Sequence, residues 1–292
     1  MWDSICYLNG DYLKLSEAKI SVLDRGFIFG DGVYEVVPAY ARTPFCMGEH
    51  LARLARSLAA LSIPNPHTTS EWQAIIAKLI ASDPAHDQFV YFQITRGVAK
   101  RDHAFPTVPL VPTVFAMTTP FTPPSGALLK DGVAAITTMD NRWLRCEIKS
   151  IALLGNVLKR QEAVDAGVVE VIMFRDGIMT EGSATNLYAV IDGSVIAPAQ
   201  DHKILAGIRY GLMQALCAAA GVPYRQDNVS KAALLAADEI LLSSATKEIL
   251  AVTRVDDQAI GPIAGRPGPI WAKLFAAYQQ EKQRQCGVAT PI

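Results

Sequence analysis

The chain lacks an excess of either charge. Its 27 Lys and Arg stand against 28 Asp and Glu, a formal net charge of −1 at pH 7. That balance excludes the broad basic footprint of a nucleic-acid binder and gives no attraction to an anionic membrane surface. Neither partner is expected, and any anion site has to be built from a local cluster of cations. Long hydrophobic runs are missing as well: no stretch approaches the roughly 20 apolar residues of a membrane span. Asp3 and the absence of a long apolar segment near the start argue against a signal peptide. Cysteine is scarce, with only Cys6, Cys46, Cys146, Cys217 and Cys286, widely spaced and without a CxxC pair. An odd, scattered set of this kind argues against a disulfide framework and against structural zinc. The expectation is a reduced, cytoplasmic protein with no metal. No repeat of 20–50 residues and no low-complexity tract is visible.

What is present suits a soluble enzyme. Half of the residues are apolar and 19% are charged, a mixture that folds rather than one that stays disordered. At 292 residues the length predicts two domains of roughly 100–200 residues each.

The first part reads as α+β. Residues 4–8 and 11–14 flank Asn9-Gly10, a hairpin signal. Residues 33–37 read as a strand, and Ala41-Arg42-Thr43-Pro44 offers a second turn. Across 49–61, Leu51, Leu54, Ala55, Leu58 and Leu61 recur at helical spacing. A second helix is predicted over 70–82 with Ser70 as its N-cap, and strands over 88–95 and 113–117. The densest Pro/Ser/Gly segment, 120–126, marks an interdomain linker over 120–130. It separates an N-terminal α+β domain (1–119) from a C-terminal domain (131–292). Beyond it, strands at 133–138, 169–174, 187–191, 195–197 and 239–242 alternate with helical patterns at 151–166, 207–220, 231–237 and 269–282. Asp176-Gly177 and Asp192-Gly193 are hairpin turns. The fold class is therefore mixed α/β of the α+β kind, with the ligand site expected in the crevice between the domains.

Two segments carry chemistry. Arg142-Trp143-Leu144-Arg145-Cys146-Glu147-Ile148-Lys149-Ser150 sets one lysine just before a helix-like stretch rich in Leu and Ala. A lone lysine is ordinarily a surface residue. Here Ile148 and the apolar residues of 151–154 half-bury the amine, which disfavours its charged form and exposes a nucleophile able to form a Schiff base. Further on, Thr180-Glu181-Gly182-Ser183-Ala184-Thr185-Asn186 holds one carboxylate in a turn of small residues. A lysine amine together with an acid able to pair with a pyridine nitrogen is what pyridoxal phosphate chemistry asks of a protein.

Further segments complete a pattern. They are residues 23–35, Glu49-His50-Leu51-Ala52-Arg53-Leu54, Arg96-Gly97 followed by Arg101-Asp102-His103-Ala104-Phe105-Pro106, Leu205-Ala206-Gly207-Ile208, and residues 243–249. With the two above, in this order and at these separations, the chain resembles the fold-type IV pyridoxal-phosphate aminotransferases, most closely the D-amino acid transaminases, over nearly its whole length.

The resemblance implies a two-domain fold-type IV enzyme that binds pyridoxal 5'-phosphate. Lys149 would carry the cofactor and move the Cα proton, and Glu181 would keep the ring nitrogen protonated. Arg53 would hold the phosphate with its planar fork. Gly207 and Ile208 would do so from a helix N-terminus, and Ser244, Ala245 and Thr246 from a loop. Leu205 would pack on the ring. The family usually has Thr and then Arg after Gly-Ile, whereas this chain has Arg209 and Tyr210. A hydroxyl contact is lost there, and Arg209 either adds charge or points away. Tyr34, Arg101 and His103 match the trap for the substrate α-carboxylate. The Arg-x-His loop reaches in from a neighbouring subunit in the family, so a homodimer is implied. The implied activity is ping-pong transfer of an amino group from a D-amino acid to a 2-oxo acid such as 2-oxoglutarate. The alternatives within the fold are an aminodeoxychorismate-type lyase and a branched-chain or (R)-amine transaminase.

Overall fold

In the computed structural model, which describes residues 3–205, 207–263 and 265–290, Asn9 and Gly10 both take positive φ (51° and 109°). This pair turns strand β1 (Ile5–Leu8) back onto β2 (Asp11–Lys14), with Leu8 opposite Asp11. Ala41 and Arg42, also at positive φ, turn β3 (Gly32–Tyr40) back onto β4 (Thr43–Pro44). With β5 (Gln88–Thr95) and β6 (Thr113–Pro120) these strands form an antiparallel sheet in the order β2-β1-β6-β5-β3-β4. The helices of this unit are α1 (Arg25–Phe29), α2 (Met47–Ala60) and α3 (Thr69–Ser82). Leu51, Leu54 and Leu58 of α2 and Trp72, Ile76 and Leu79 of α3 pack with Val33, Val37, Val90 and Phe92 of the sheet as one core.

The cap of helix α3 is Thr68, two residues before the predicted Ser70. Thr68 accepts from the Glu71 amide, and the Glu71 carboxylate takes the Thr68 N–H at 2.7 Å. Capping at Ser70 would have placed neutral Gln73 in that reciprocal position. A carboxylate binds the free N–H and the positive end of the helix more strongly.

The second unit begins at Pro123, inside the predicted linker, where α4 (Ala127–Lys130) forms. The chain returns to the first unit for Ile148–Leu153. No Pro or Gly marks that return. It is held by hydrogen bonds: the Tyr34 amide donates to the Lys149 carbonyl at 3.0 Å and Ile151 donates to Gly32. These bonds also explain why α5 starts at Leu154 (Leu154–Asp165) and not at Ile151.

The sheet of the second unit runs β12-β11-β10-β13-β14-β7-β8-β9, with β15 (Gln258–Ala259) beside β14. Its strands are β7 (Val133–Met139), β8 (Glu170–Arg175), β9 (Ile178–Met179), β10 (Asn186–Ile191), β11 (Ser194–Ala197), β12 (Tyr224–Gln226), β13 (Glu239–Ser244) and β14 (Glu248–Val255). The mixed character expected from the sequence is present: β7 is parallel to both β8 and β14, and β11 to β12, while the other pairs are antiparallel. Strand β14 was not visible in the sequence pattern. Its residues are buried on both faces save Arg254, so no polar alternation reveals the period of two. The remaining helices are α6 (Ile208–Ala219), α7 (Lys231–Leu235) and α8 (Pro269–Cys286). Among the described residues no helix is long and apolar enough to cross a membrane.

Helix α8 is fastened to the sheet by a buried charge. Glu248 accepts from Lys282 Nζ at 2.8 Å and from Gln279 Nε2 at 2.7 Å, and both Glu248 and Lys282 are cut off from water. Breaking a buried pair from one side leaves an uncompensated charge, at about 3–5 kcal/mol. Lys282→Met is therefore expected to lower the unfolding free energy, measured by urea titration, by an amount in that range. A loss below about 1 kcal/mol would contradict the assignment of this pair as a fastening.

Candidate active site

Lys149 lies in the returning segment of the first unit, and its backbone is held from two sides. Its carbonyl accepts from Tyr34 of β3, and its amide donates to Ser57 Oγ of α2 at 3.2 Å. The side chain is half-buried, and Nζ stands 4.0 Å from the centroid of the Tyr34 ring. The sheet thus presents an amine on a fixed stem beside a phenol, with the Tyr91 ring tilted against Tyr34 at 5.7 Å between centroids.

One residue on from Tyr34, the strand alternation turns Glu35 to the opposite face, where it is fully buried. Arg53 of α2 grips both of its oxygens, Nε–Oε1 at 2.7 Å and Nη2–Oε2 at 2.8 Å, and His50 Nδ1 adds a third contact at 2.8 Å. Burial opposes this charge, yet the Arg53 guanidinium and the His50 imidazole hold the carboxyl well below its ordinary range. The fork that the sequence assigned to a phosphate is therefore engaged by Glu35. Nη1 is the nitrogen of Arg53 left for an anion. The pairing was missed because Glu35 and Arg53 are 18 residues apart on different elements.

Arg101 and His103 are both exposed, and both flank Phe29 of α1: the Arg101 Cζ lies 5.5 Å and the His103 ring 5.4 Å from its centroid. Their loop is drawn onto Arg25, which donates to the carbonyls of Asp102 and Ala104 while its Nε binds Asp31 at 2.7 Å. Arg96 takes both oxygens of the same Asp31 and lies over the Phe105 ring at 3.7 Å. Within this chain neither Arg101 nor His103 contacts Tyr34 or Lys149, among the described residues. The structure brings Arg101 and His103 to Phe29, and Tyr34 to Lys149, as two separate groups.

In the second unit Glu181 follows β9 in a turn. Its Oε1 accepts from Arg142 Nη1 at 2.5 Å and its Oε2 from the Leu205 amide at 3.2 Å. Burial pushes its carboxyl up, with Arg142 and the Leu205 amide pulling the other way. Arg142 in turn binds Asp140 through Nε and Nη2, both at 2.9 Å. Asp140 also accepts from Thr180 Oγ1 at 2.9 Å and pairs with Arg175 at 3.0 Å. Behind the turn, buried Glu170 accepts from the Ser183 amide and hydroxyl and from Thr185 Oγ1. Arg142 belonged to the most informative segment of the sequence without a role there; Asp140, Arg175 and Glu170 gave no local sign.

Gly207 caps α6, and the positive dipole end of a helix of this length favours an anion at its start. A Cβ at Gly207 would lie 2.3 Å from Asn186 Oδ1, so a larger residue there would have to displace the Asn186 side chain. Arg209 is buried and donates to Tyr278 of α8 at 3.0 Å, with Cζ 5.4 Å from that ring, so its charge is drawn toward α8. Ser244, the last residue of β13, and Ala245 and Thr246 beyond it are half-buried, and Ser244 Oγ takes the Lys247 amide. Ala206, in the same motif as Leu205 and Gly207, is outside the described residues. The donors fit a flat pyridine ring bearing a phosphate. A carboxylate and the Leu205 backbone adjoin one another for the ring nitrogen end, and helix-terminal amides with loop hydroxyls are available for the dianion.

The Asp140 carboxylate has a consequence in acid. Burial raises its pKa, but Arg142 and Thr180 bring it down from 3.8 to about 2. A depressed carboxylate stabilises the fold above its unfolded pKa, and this contribution is lost as pH falls through the folded value. The window is thus roughly pH 4 to 2, with about 2 kcal/mol at stake. Urea unfolding followed from pH 6 to 2.5 should show stability falling below pH 4, with a shallower fall in Asp140→Asn. An equal acid slope in the two proteins would rule out Asp140 as the source.

The chain matches the family described as amino-transferase class IV over residues 32–255. It is 35% identical over 274 residues to a D-alanine aminotransferase of Staphylococcus epidermidis, covering 94% of this chain and 96% of the relative. It is 38% identical over 271 residues to the D-alanine aminotransferase of Bacillus licheniformis, covering 93% and 94%. Among solved structures, a branched-chain amino acid aminotransferase of Escherichia coli superposes with a TM-score of 0.86 at 25% identity, covering 94% of this chain and 92% of the other. The branched-chain aminotransferase of Thermoproteus uzoniensis superposes at 0.84 with 23% identity, covering 99% of each chain. A match across most of the length, on a fold that already sets a lysine on a strand-anchored stem and a buried carboxylate in a glycine-containing turn, places this chain in the class IV aminotransferases, enzymes that work with pyridoxal phosphate.

Proposed function

We propose that this enzyme transfers the amino group of a D-amino acid, with D-alanine as the reference substrate, to a 2-oxo acid such as 2-oxoglutarate. The observation that carries the reading is Lys149. Its backbone is fixed on both sides by Tyr34 and Ser57, and its amine lies against the Tyr34 ring. An amine so held reaches one atom repeatedly without searching, which is what a proton carrier needs. Pyridoxal phosphate, when bound, supplies the sink for the electron pair released from the Cα–H bond. Lys149 holds the cofactor and moves the Cα proton. Glu181 keeps a proton at the ring nitrogen, and Arg142 fixes the direction of its carboxylate. Leu205 lies along the ring beside Glu181. The N-terminal end of α6 at Gly207, Ile208 and Arg209, the residues Ser244, Ala245 and Thr246 and, through Nη1, Arg53 would bind the phosphate.

Tyr34, Arg101 and His103 receive the substrate carboxylate. Arg101 and His103 stand exposed around Phe29 and make no contact with Tyr34 in their own chain, which supports a homodimer in which they serve the neighbouring subunit. The five cysteines are buried and widely spaced along the chain, which supports a reducing, cytoplasmic setting. The fold shared with branched-chain aminotransferases favours one second reading, transfer from branched-chain L-amino acids. The identity to D-alanine aminotransferases over 94% of the chain favours the first.

The absorption spectrum of the holoenzyme should lose its cofactor band on addition of D-alanine and keep it with L-alanine or L-leucine. Loss with L-leucine alone would replace this reading with the branched-chain one, and loss with neither would remove it. Lys149→Ala is expected to lower turnover by at least about a thousandfold, at the upper range of a positioned proton carrier combined with covalent attachment. Near-normal turnover would end the assignment of Lys149. Arg101→Ala should raise KM for both substrates far more than it lowers cofactor affinity. An unchanged KM would take Arg101 out of the carboxylate trap.

A further inference from the structure

Arg142 has one guanidinium and two carboxylates to serve. Asp140 takes Nε and Nη2 in a parallel pair, and Glu181 receives Nη1. The parallel pair fixes the plane of the guanidinium, and with it the direction from which Nη1 meets Glu181. Asp140 is itself held on every side. Arg175 Nη2 binds its Oδ1 at 3.0 Å, the Arg142 amide donates to Oδ1 at 3.2 Å, and Thr180, the residue before Glu181, donates to Oδ2. The side chains of Asp140, Arg142, Arg175 and Glu181 are all at most 10% exposed. Two arginines and two carboxylates therefore form a buried group of zero net charge. Cys146 and Tyr210, the other titratable groups facing Glu181, do not disturb this sum. Burial pushes the Cys146 thiol up to about 11 and the Tyr210 phenol well above its ordinary value, so both are neutral.

We propose that Asp140 is a positioning residue for Glu181. By sharing Arg142 it sets how much of the arginine's charge reaches Glu181, and so how firmly the Glu181 end of the site keeps a proton on the cofactor's ring nitrogen. This rests on the function proposed above. The physical argument is one of sign. In a buried group, removing one charge leaves the remainder unscreened. Without the Asp140 carboxylate the group is left with a net positive charge beside Glu181, and the proton shared by Glu181 and the ring nitrogen is held less firmly. Without the Arg175 guanidinium the group is left net negative, and the same proton is held more firmly. A role limited to keeping the turn in shape has no sign: both removals would loosen the structure, and neither would move the proton in a predetermined direction.

The test uses holoenzyme loaded with pyridoxal phosphate labelled with nitrogen-15 in the ring, whose nitrogen resonance reports protonation directly, followed from pH 6 to 10. Asp140→Asn is expected to lower the midpoint of proton loss by about one pH unit, a tenfold weaker hold. Arg175→Gln is expected to raise it, or to keep the ring protonated to the top of the range. Midpoints equal to wild type in both variants, or shifts in the same direction, would overturn the proposal. If Asp140→Asn does not fold, Arg175→Gln decides alone: a raised midpoint supports the proposal, and an unchanged or lowered one overturns it. A wild-type protein that shows no bound cofactor resonance would overturn the functional reading itself. Wild-type binding with unmoved midpoints would overturn only the role of Asp140.

Discussion

A carboxylate taken out of water has to be met by a cation or by several hydrogen-bond donors, because an unpaired buried charge costs more than the fold can offset. That constraint organises both units of this enzyme. Asp31 is met by Arg25 and Arg96, Glu35 by Arg53 and His50, Asp140 by Arg142 and Arg175, and Glu248 by Lys282 and Gln279. Most of these contacts join different elements, and Arg175 of β8 reaches the loop that holds both Asp140 and Arg142, so satisfying the charge also fixes where those segments lie. The functional side chains sit one bond further out. Arg25 holds the loop of Arg101 and His103, Ser57 lies one turn along α2 from Arg53 and holds Lys149, and Arg142 holds Glu181.

The lysine shows how backbone and side chain divide the work. Its flexible stem has four rotatable carbons, and only the point of attachment is fixed by the fold. Hydrogen bonds on both its N–H and its C=O remove the backbone freedom, leaving the Nζ to move over the Tyr34 ring. The proton transfer proposed for Lys149 would benefit from that combination, since the amine would visit more than one atom while its origin stays put. Glu181 is the opposite case. Both of its oxygens are engaged, by Arg142 and by the Leu205 amide, so its direction does not vary. A group that holds a proton in place throughout a cycle needs rigidity, where a group that transfers one needs reach.

Much of this was legible in the residues. Asn9-Gly10 and Asp192-Gly193 turn as their types require, because few residues other than Gly, Asn and Asp accept positive φ without strain. Helix α2 follows from the Leu51, Leu54 and Leu58 stripe, since burial of one face sets the period. Lys149 and Glu181 stood out by the segments around them. What escaped was whatever depends on distance along the chain. Strand β14 carries no alternation, because sheet and helices bury it on both faces. The return of Ile148–Leu153 to the first unit has no turn residues, because hydrogen bonds to β3 guide it.

The sequence by itself determined the family and its class of chemistry, and it nominated the residues proposed for that chemistry: an amine, an acid for a ring nitrogen, donors for a phosphate, and a cationic loop for a carboxylate. Local spacing suffices there because each motif is a short segment with its own turn or helix end. Only the tertiary structure decided how the charges are shared. Arg53 is engaged by Glu35, Arg209 is drawn toward Tyr278, and Arg142 is divided between Asp140 and Glu181. The physical reason is that electrostatic pairing acts through space and is strongest where water is excluded. Which carboxylate claims which arginine depends on what folding brings within 3 Å, and no spacing along the chain encodes that.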